Sequence, residues 1–440
     1  MTRMNKTILS RLLVTIFCAA PLVASASEAE LMQRLDKLAA ELEQVKIELA
    51  ATKQKSEAAE SRSQAAATAS AASTTSGTSA PATGPATVVS GYGEFSYNRP
   101  SKDASKAEAD VRRAVIGIEH RFDASTKMVG EFEFEHAVTS ATDKGEVAVE
   151  QLYVEREFKN GLRAKGGLFL IPSGLLNTSH EPTAYYGVER NFVETAIIPS
   201  TWREAGVGLS SSLDNGLTWD LGITTGFDLT KWDASSTDGR KSPLASIHQE
   251  GQLAKSRDLS YHAALNWRGV PGLLLGGSVF TGKAGHSGIA GQDGAKVTVP
   301  NSRVTLSEVH ARYTPGKWDL STVYARGTIS NTEGPNQSLS ILTTPIPKSF
   351  DGWYAQAAYQ AWKNADYTLL PFVRYEQFNV ARSYAGVPAG SGVTSGPTEK
   401  VTTVGANFRI GEGVVLKADY QKFKADPSRD RFDLGLGYAF

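Results

Sequence analysis

One stretch of the chain nearly spells a nucleotide-binding motif. Gly277-Ser278-Val279-Phe280-Thr281-Gly282-Lys283-Ala284 matches a phosphate-binding P-loop up to its last position, where the Mg2+-holding hydroxyl is missing. It also ends a run with strand periodicity and leads into a Gly-rich loop, whereas a P-loop opens a helix, so the P-loop reading is rejected. No His-Glu-x-x-His or Gly-x-Ser-x-Gly appears, and the seven histidines are scattered without metal-ligand spacing. Cys18, the single cysteine, lies in an N-terminal targeting segment and supports neither a disulfide nor a thiolate metal site. With 46 basic and 46 acidic side chains there is no basic stripe for nucleic acid. No enzyme, cofactor or metal is expected. A hydrolase with a dispersed Ser/His set is the enzymatic rival.

The charges that remain can do electrostatics, because they alternate with apolar residues. Arg113, Glu119 and Arg121 oppose Ala114, Ile116, Ile118 and Phe122, and Glu131, Glu133 and Glu135 oppose Phe132 and Phe134. Arg163 with Lys165, Asn407 with Arg409, and Lys417 with Asp419 repeat the pattern. A strand turns successive side chains to opposite faces, so one face is charged and the other greasy. Burying so many ions in a dry core would cost several kcal/mol each. The charged face is therefore expected to line a wet channel, most single charges being merely solvated wall.

A second group of charges sits in an unusual loop over 171–202. It carries Leu175, Leu176, Tyr185, Tyr186, Val188, Phe192, Val193, Ile197 and Ile198, more apolar surface than water tolerates. Folding inward against a barrel wall would cover it; packing on a neighbouring subunit is the alternative. Folded inward, the loop would present His180, Glu181, Glu189, Arg190 and Glu194 to the lumen. Arg190 is expected at the narrowest point, with Arg113, Arg121, Glu131, Glu133, Arg163, Lys165 and Arg409 lining the wall. The opposed charges would make a transverse field that orients small ions.

Sixteen strands position these residues, at roughly 88–99, 110–122, 126–137, 146–158, 161–170, 203–213, 217–227, 258–268, 272–282, 303–314, 317–328, 349–362, 366–379, 399–410, 413–424 and 431–440. Short links such as Asp214-Asn215-Gly216 and Pro315-Gly316 alternate with long ones. That asymmetry is the signature of an all-β, 16-stranded antiparallel transmembrane barrel with periplasmic turns and external loops. Phe432, Leu434, Leu436, Tyr438 and Phe440 form the apolar face of the last strand. A β-propeller, the main soluble competitor, would need a blade-length repeat, and none is visible.

Residues 1–26 read as a signal peptide: Arg3, Lys6 and Arg11, then an apolar Leu12–Ala20, then Ala24-Ser25-Ala26. Its cleavage removes three bases and no acids, taking the net charge from 0 to −3. Over 27–60, Leu31, Leu35, Leu38, Leu42, Val45 and Leu49 make an a/d seam, with Glu41 and Glu48 at g and Lys46 and Lys53 at the following e positions. A parallel coiled coil between like chains fits; a helix packed on its own barrel is the alternative. Residues 61–87, nearly all Ala, Ser, Thr, Gly and Pro, read as a flexible linker to a barrel over 88–440.

The chain resembles the phosphate-selective porin O and P family over nearly its whole mature length. The resemblance rests on Arg112-Arg113-Ala114-Val115-Ile116-Gly117, on Gly166-Gly167-Leu168-Phe169-Leu170-Ile171-Pro172-Ser173-Gly174 and on Gly187-Val188-Glu189-Arg190. It implies a homotrimer of water-filled barrels in the outer-membrane lipid of a Gram-negative cell, passing small hydrophilic solutes. Family members selective for phosphate line the pore with a run of bases; here acids match the bases, so no residue is assigned to a phosphate site. The expected function is passive diffusion of small, anionic solutes, with a possible periplasmic contact through the coiled coil. The rivals are a channel specific for phosphate or dicarboxylates and an envelope-tethering barrel without transport.

Overall fold

The computed structural model describes residues 86–440 apart from 141, 287, 291–296, 299–300, 339–343 and 388–392. The signal peptide, the coiled coil and nearly all of the linker lie outside the described residues.

Sixteen long strands run in chain order: β1 (Ala86–Pro100), β2 (Glu108–Arg121), β3 (Thr126–Glu135), β4 (Glu146–Glu157), β5 (Leu162–Leu170), β6 (Arg203–Ser212), β7 (Leu217–Thr224) and β8 (Ser260–Trp267). They continue with β9 (Leu273–Lys283), β10 (Arg303–Tyr313), β11 (Trp318–Ile329), β12 (Pro347–Tyr359), β13 (Tyr367–Tyr384), β14 (Glu399–Ile410), β15 (Val414–Phe423) and β16 (Arg431–Ala439). Each pairs antiparallel with the next, and β16 pairs with β1 through Tyr92↔Ala439 to Pro100↔Arg431. The sheet therefore closes on itself and leaves no edge to be covered. Two-residue pieces add to this set: Ile289–Ala290 pairs with Val297–Thr298 in the loop after β9, and Trp362–Lys363 lies against β13.

One large set of hydrophobic side chains faces outward. Val88, Ile116, Leu152, Val207, Leu265, Val309, Val404 and Leu434 are all exposed, on the face that a barrel turns to lipid. Phe122, Phe158, Tyr313, Trp318, Trp362, Tyr367 and Tyr438 form an exposed aromatic band at the end carrying the short turns. Ala86 and Phe440 lie at that same end. The turns are built as their composition requires: Gly216 sits at φ +82°, and a Cβ there would meet the backbone N of Gly269 at 2.7 Å.

Inward-facing positions carry the polar residues together with an apolar cluster, including Phe280, Val304, Leu306, Val323, Phe350 and Val401, that packs against the loops inside the barrel. Bulges on β2 and β4 modify the alternation. Glu94 pairs with Arg113 and Phe95 with Val111, so Arg112 is the extra residue on β2. Glu131 pairs with Gln151 and Phe132 with Val149, so Glu150 is the extra residue on β4. A bulge places two consecutive side chains on one face. Arg112 and Arg113, and likewise Glu150 and Gln151, point into the barrel.

Candidate functional site: a loop fastened across the lumen

The 171–202 loop, L3, folds into the barrel. Tyr185, Tyr186, Val188, Val193, Ile197 and Ile198 are all buried. They are covered by the wall and by the loop after β7, where Trp202 stacks on Phe227 with ring centroids 5.2 Å apart. Two small residues on the inner face of β16 admit the loop: a Cβ on Gly437 would lie 2.3 Å from Pro182, and one on Gly435 3.2 Å from Val188.

L3 is irregular, so its own backbone cannot satisfy itself, and buried N–H and C=O groups need partners. Asn177 closes the base of the loop. Its amide donates to the carbonyls of Ile171 (2.7 Å) and Trp202 (2.8 Å), and its Oδ1 accepts from the Trp202 N–H (2.6 Å). Glu194 ties the middle, accepting from the N–H groups of Leu175 (2.5 Å) and Leu176 (2.7 Å), from Asn191 (2.7 Å) and from the Tyr354 hydroxyl of β12 (3.0 Å). Burial pushes the Glu194 carboxyl up, and these donors only partly offset it.

The wall supplies the remaining partners. The Val188 N–H donates to Asp419 (2.6 Å), that of Phe192 to Glu376 (2.6 Å) and that of Gly187 to Asn407 Oδ1 (3.4 Å). Asn407 donates to the Tyr185 carbonyl (3.0 Å), Arg374 to that of Tyr186 (3.0 Å) and Arg409 to that of Thr183 (3.1 Å). Tyr185 donates to Glu94 (2.7 Å), and Lys417 lies 3.5 Å over the Tyr185 ring. Charges of the inner wall are thus buried ties to L3: Glu94, Arg374, Glu376, Lys417 and Asp419 are all buried.

The expected pore residues take different positions. Glu189 is clamped by Nη1 and Nη2 of Arg112, accepts from Asn98 (2.9 Å) and lies 3.8 Å from Arg431. Burial alone would raise its carboxyl; Arg112 outweighs that and holds it down at about 2. Arg190 does not stand free in the lumen. It is buried and donates to the hydroxyls of Ser200 and Thr201 and to the His180 carbonyl, holding L3 together from within. Glu181 is half-buried, its Oε2 without a partner among the described residues.

On the wall, Arg113 pairs with Glu94 (2.8 Å) and Glu133 (3.4 Å), beside Arg112. Lys165 pairs with Asp220 (3.3 Å), Arg163 is buried on the inner face of β5, and Arg121 is half-exposed near the short turns, 3.7 Å from Glu119. These last three are not brought to L3. Direct pairing, more than a field between separated charges, is how the interior balances itself. Sequence reasoning missed Arg112 and Glu150, the bulge residues of β2 and β4. The available signal was a change of phase, from Val111 to Ala114 and Ile116 on β2 and from Val147 and Val149 to Leu152 and Val154 on β4.

The fold also makes a cluster that sequence spacing does not show. His180 of L3, Glu131 of β3 and Glu150 of β4 each bring one ligand-type atom within 4.8 Å of the others. Burial lowers the His180 imidazole, but the Glu150 carboxylate 3.7 Å away outweighs it, and the net direction is upward.

The comparisons with known proteins agree with this architecture. The phosphate-selective porin O and P family model matches residues 86–430. An uncharacterised protein of Aquifex aeolicus (strain VF5) is 29% identical over 364 residues, covering 80% of this chain and 79% of that relative. OmpF of Salmonella typhi, solved in complex with daunomycin, shares 15% identity at a TM-score of 0.53, over 80% of this chain and 97% of its own. The outer membrane channel DcaP of Acinetobacter baumannii shares 12% identity at a TM-score of 0.53, over 81% and 98%. At such identities these two structures speak for the fold. The match of the family model over most of the chain, on a closed sixteen-stranded barrel with an inserted third loop, means that this protein belongs to the phosphate-selective porin O and P family of outer-membrane porins.

Proposed function

We propose that the protein is a homotrimeric diffusion channel that passes small hydrophilic, preferentially anionic solutes down their gradients, without covalent chemistry. The observation that carries this reading is L3, held across the barrel by bonds to charged side chains of the wall, while the outer face is apolar. A barrel that served only as an anchor would have no use for a fastened internal constriction. Charges in a confined, low-dielectric passage act strongly on passing ions. Arg409 reaches L3 without a carboxylate partner among the described residues, which supports an anion preference. Glu94, Glu131, Glu133 and Glu150, on the inner faces of β1, β3 and β4, offset the bases and keep that preference modest; they also argue against a phosphate-selective run of bases. Export by residues 1–26 and a periplasmic coiled coil over 27–60 fit the same assignment.

Planar-bilayer recording tests it. Stable conductance steps are expected, with a modest chloride preference in a KCl gradient that weakens as salt shortens the Debye length, ~10 Å at 0.1 M. Absence of any open conductance from folded protein would leave the tethering reading. Saturable block of the chloride current by phosphate or dicarboxylates would mark a substrate-specific channel instead.

A further inference from the structure

The Glu131, Glu150 and His180 cluster is built as a ligand set is built, each side chain oriented by one bond and left with one atom over. His180 Nδ1 lies 3.1 Å from the Asn177 carbonyl, which can only accept, so Nδ1 carries the hydrogen and the lone pair of a neutral ring is on Nε2. Asn177 is itself fixed by its three bonds to Ile171 and Trp202. Glu150 Oε2 accepts from the Tyr92 hydroxyl at 3.2 Å, and Glu131 Oε2 accepts from the Gln151 amide at 2.6 Å. Metal-binding histidines and carboxylates are characteristically held by outer bonds of this kind.

The atoms left over make no hydrogen bond among the described residues, although the imidazole and the Glu150 carboxylate lie close enough to interact electrostatically. Glu150 is 0% and His180 4% exposed, yet Glu150 Oε1 and His180 Nε2 have no hydrogen-bond partner among the described residues. An unpaired buried polar atom costs on the order of 1–3 kcal/mol. Nε2 stands 3.7 Å from Glu150 Oε2, too far for a hydrogen bond. That separation is close to the ~3.4 Å between neighbouring ligands of a tetrahedral ion with 2.0–2.2 Å bonds. The nearby cations do not occupy the gap: Arg113 is taken by Glu94 and Glu133, and Arg190 by Ser200, Thr201 and the His180 carbonyl.

We propose that Glu131, Glu150 and His180 bind a divalent transition-metal ion of the Zn2+ class, which fastens L3 to the β3–β4 wall. One imidazole nitrogen and two carboxylates suit such an ion better than Ca2+ or Mg2+, which take six or more oxygens. A water would complete the coordination. The ion would secure the wall opposite the β13–β15 ties, and its charge would offset the acids in the passage.

The test uses the full folded porin in detergent, washed with chelator and titrated with ZnCl2 by calorimetry. One site per chain is expected, weakened about tenfold or more in Glu150→Gln and in His180→Gln. His310→Gln, altering a second buried His–Glu pair, should leave it intact. Crystals grown with Zn2+ should show an anomalous peak between the three side chains, which decides the matter if a variant fails to give folded, heat-modifiable barrel. No binding by the unaltered protein, unchanged affinity in the folded variants, or a peak elsewhere would each overturn the proposal.

Discussion

Replacing Glu189 with Gln should release one side of L3 while the barrel stays closed. In the fold the Glu189 carboxyl lies at about 2 against an ordinary 4.5. At ~1.4 kcal/mol per tenfold, that difference corresponds to about 3 kcal/mol of stabilisation. Removing one partner of a buried ion pair costs ~3–5 kcal/mol. Arg112 is 29% exposed, and a glutamine keeps the contact with Asn98, so the lower end is the better expectation. A loss of about 2–3 kcal/mol raises the local opening constant of L3 about 30- to 150-fold. Hydrogen exchange of peptides covering 185–192 reads this directly, because the N–H groups of Gly187, Val188 and Phe192 are bonded to the wall only while the loop is seated. The same linkage gives a pH dependence. A depressed carboxyl contributes fully above about 4.5 and loses its contribution as pH falls through about 2. The unaltered loop should therefore loosen over that window, after correction for intrinsic exchange, and the Gln variant should lack this component. Equal protection in both proteins at neutral pH, or the same acid loosening in both, would refute the reasoning.

Two further outcomes follow from the same geometry. Arg190→Glu would set a carboxylate against the His180 carbonyl and remove three donor contacts, so L3 should become susceptible to proteolysis within 180–200 with only a small change in reversal potential. A protected loop with a clear shift toward cations would instead put Arg190 in the ion path. Deleting Phe440 removes the two backbone bonds to Gly91 at the β1–β16 seam (3.1 and 2.9 Å) and an aromatic ring on the outer face, so less folded, heat-modifiable barrel should reach the membrane; unchanged levels at native expression would remove that role.

Alternation and turn chemistry determined the barrel from the sequence alone. All sixteen strands appear where the period-two pattern puts them, the largest departure being β13, which runs on to Tyr384. Each strand needs only its own alternation to mark which face meets lipid, and a closed antiparallel barrel pairs every strand with its chain neighbour, so local information suffices. The apolar composition of L3 likewise determined that it would be covered, and the three segments that carry the family resemblance meet at that loop: Arg112 on Glu189, Gly174 where a Cβ would lie 2.3 Å from Glu194, and Gly187 beside Asp419.

Only the tertiary structure decided which charges L3 would use. The path of an irregular loop depends on which wall atoms can satisfy its backbone, and those come from β13–β15, far away in sequence. For the same reason Arg190, placed by its charge at the centre of the passage, is bound inside the loop: a buried guanidinium went to the nearest acceptors, Ser200, Thr201 and His180. The bulges were decided at this level as well. One extra residue on β2 and one on β4 turned Arg112 and Glu150 inward, and a bulge exists only relative to the partner strand it fails to match.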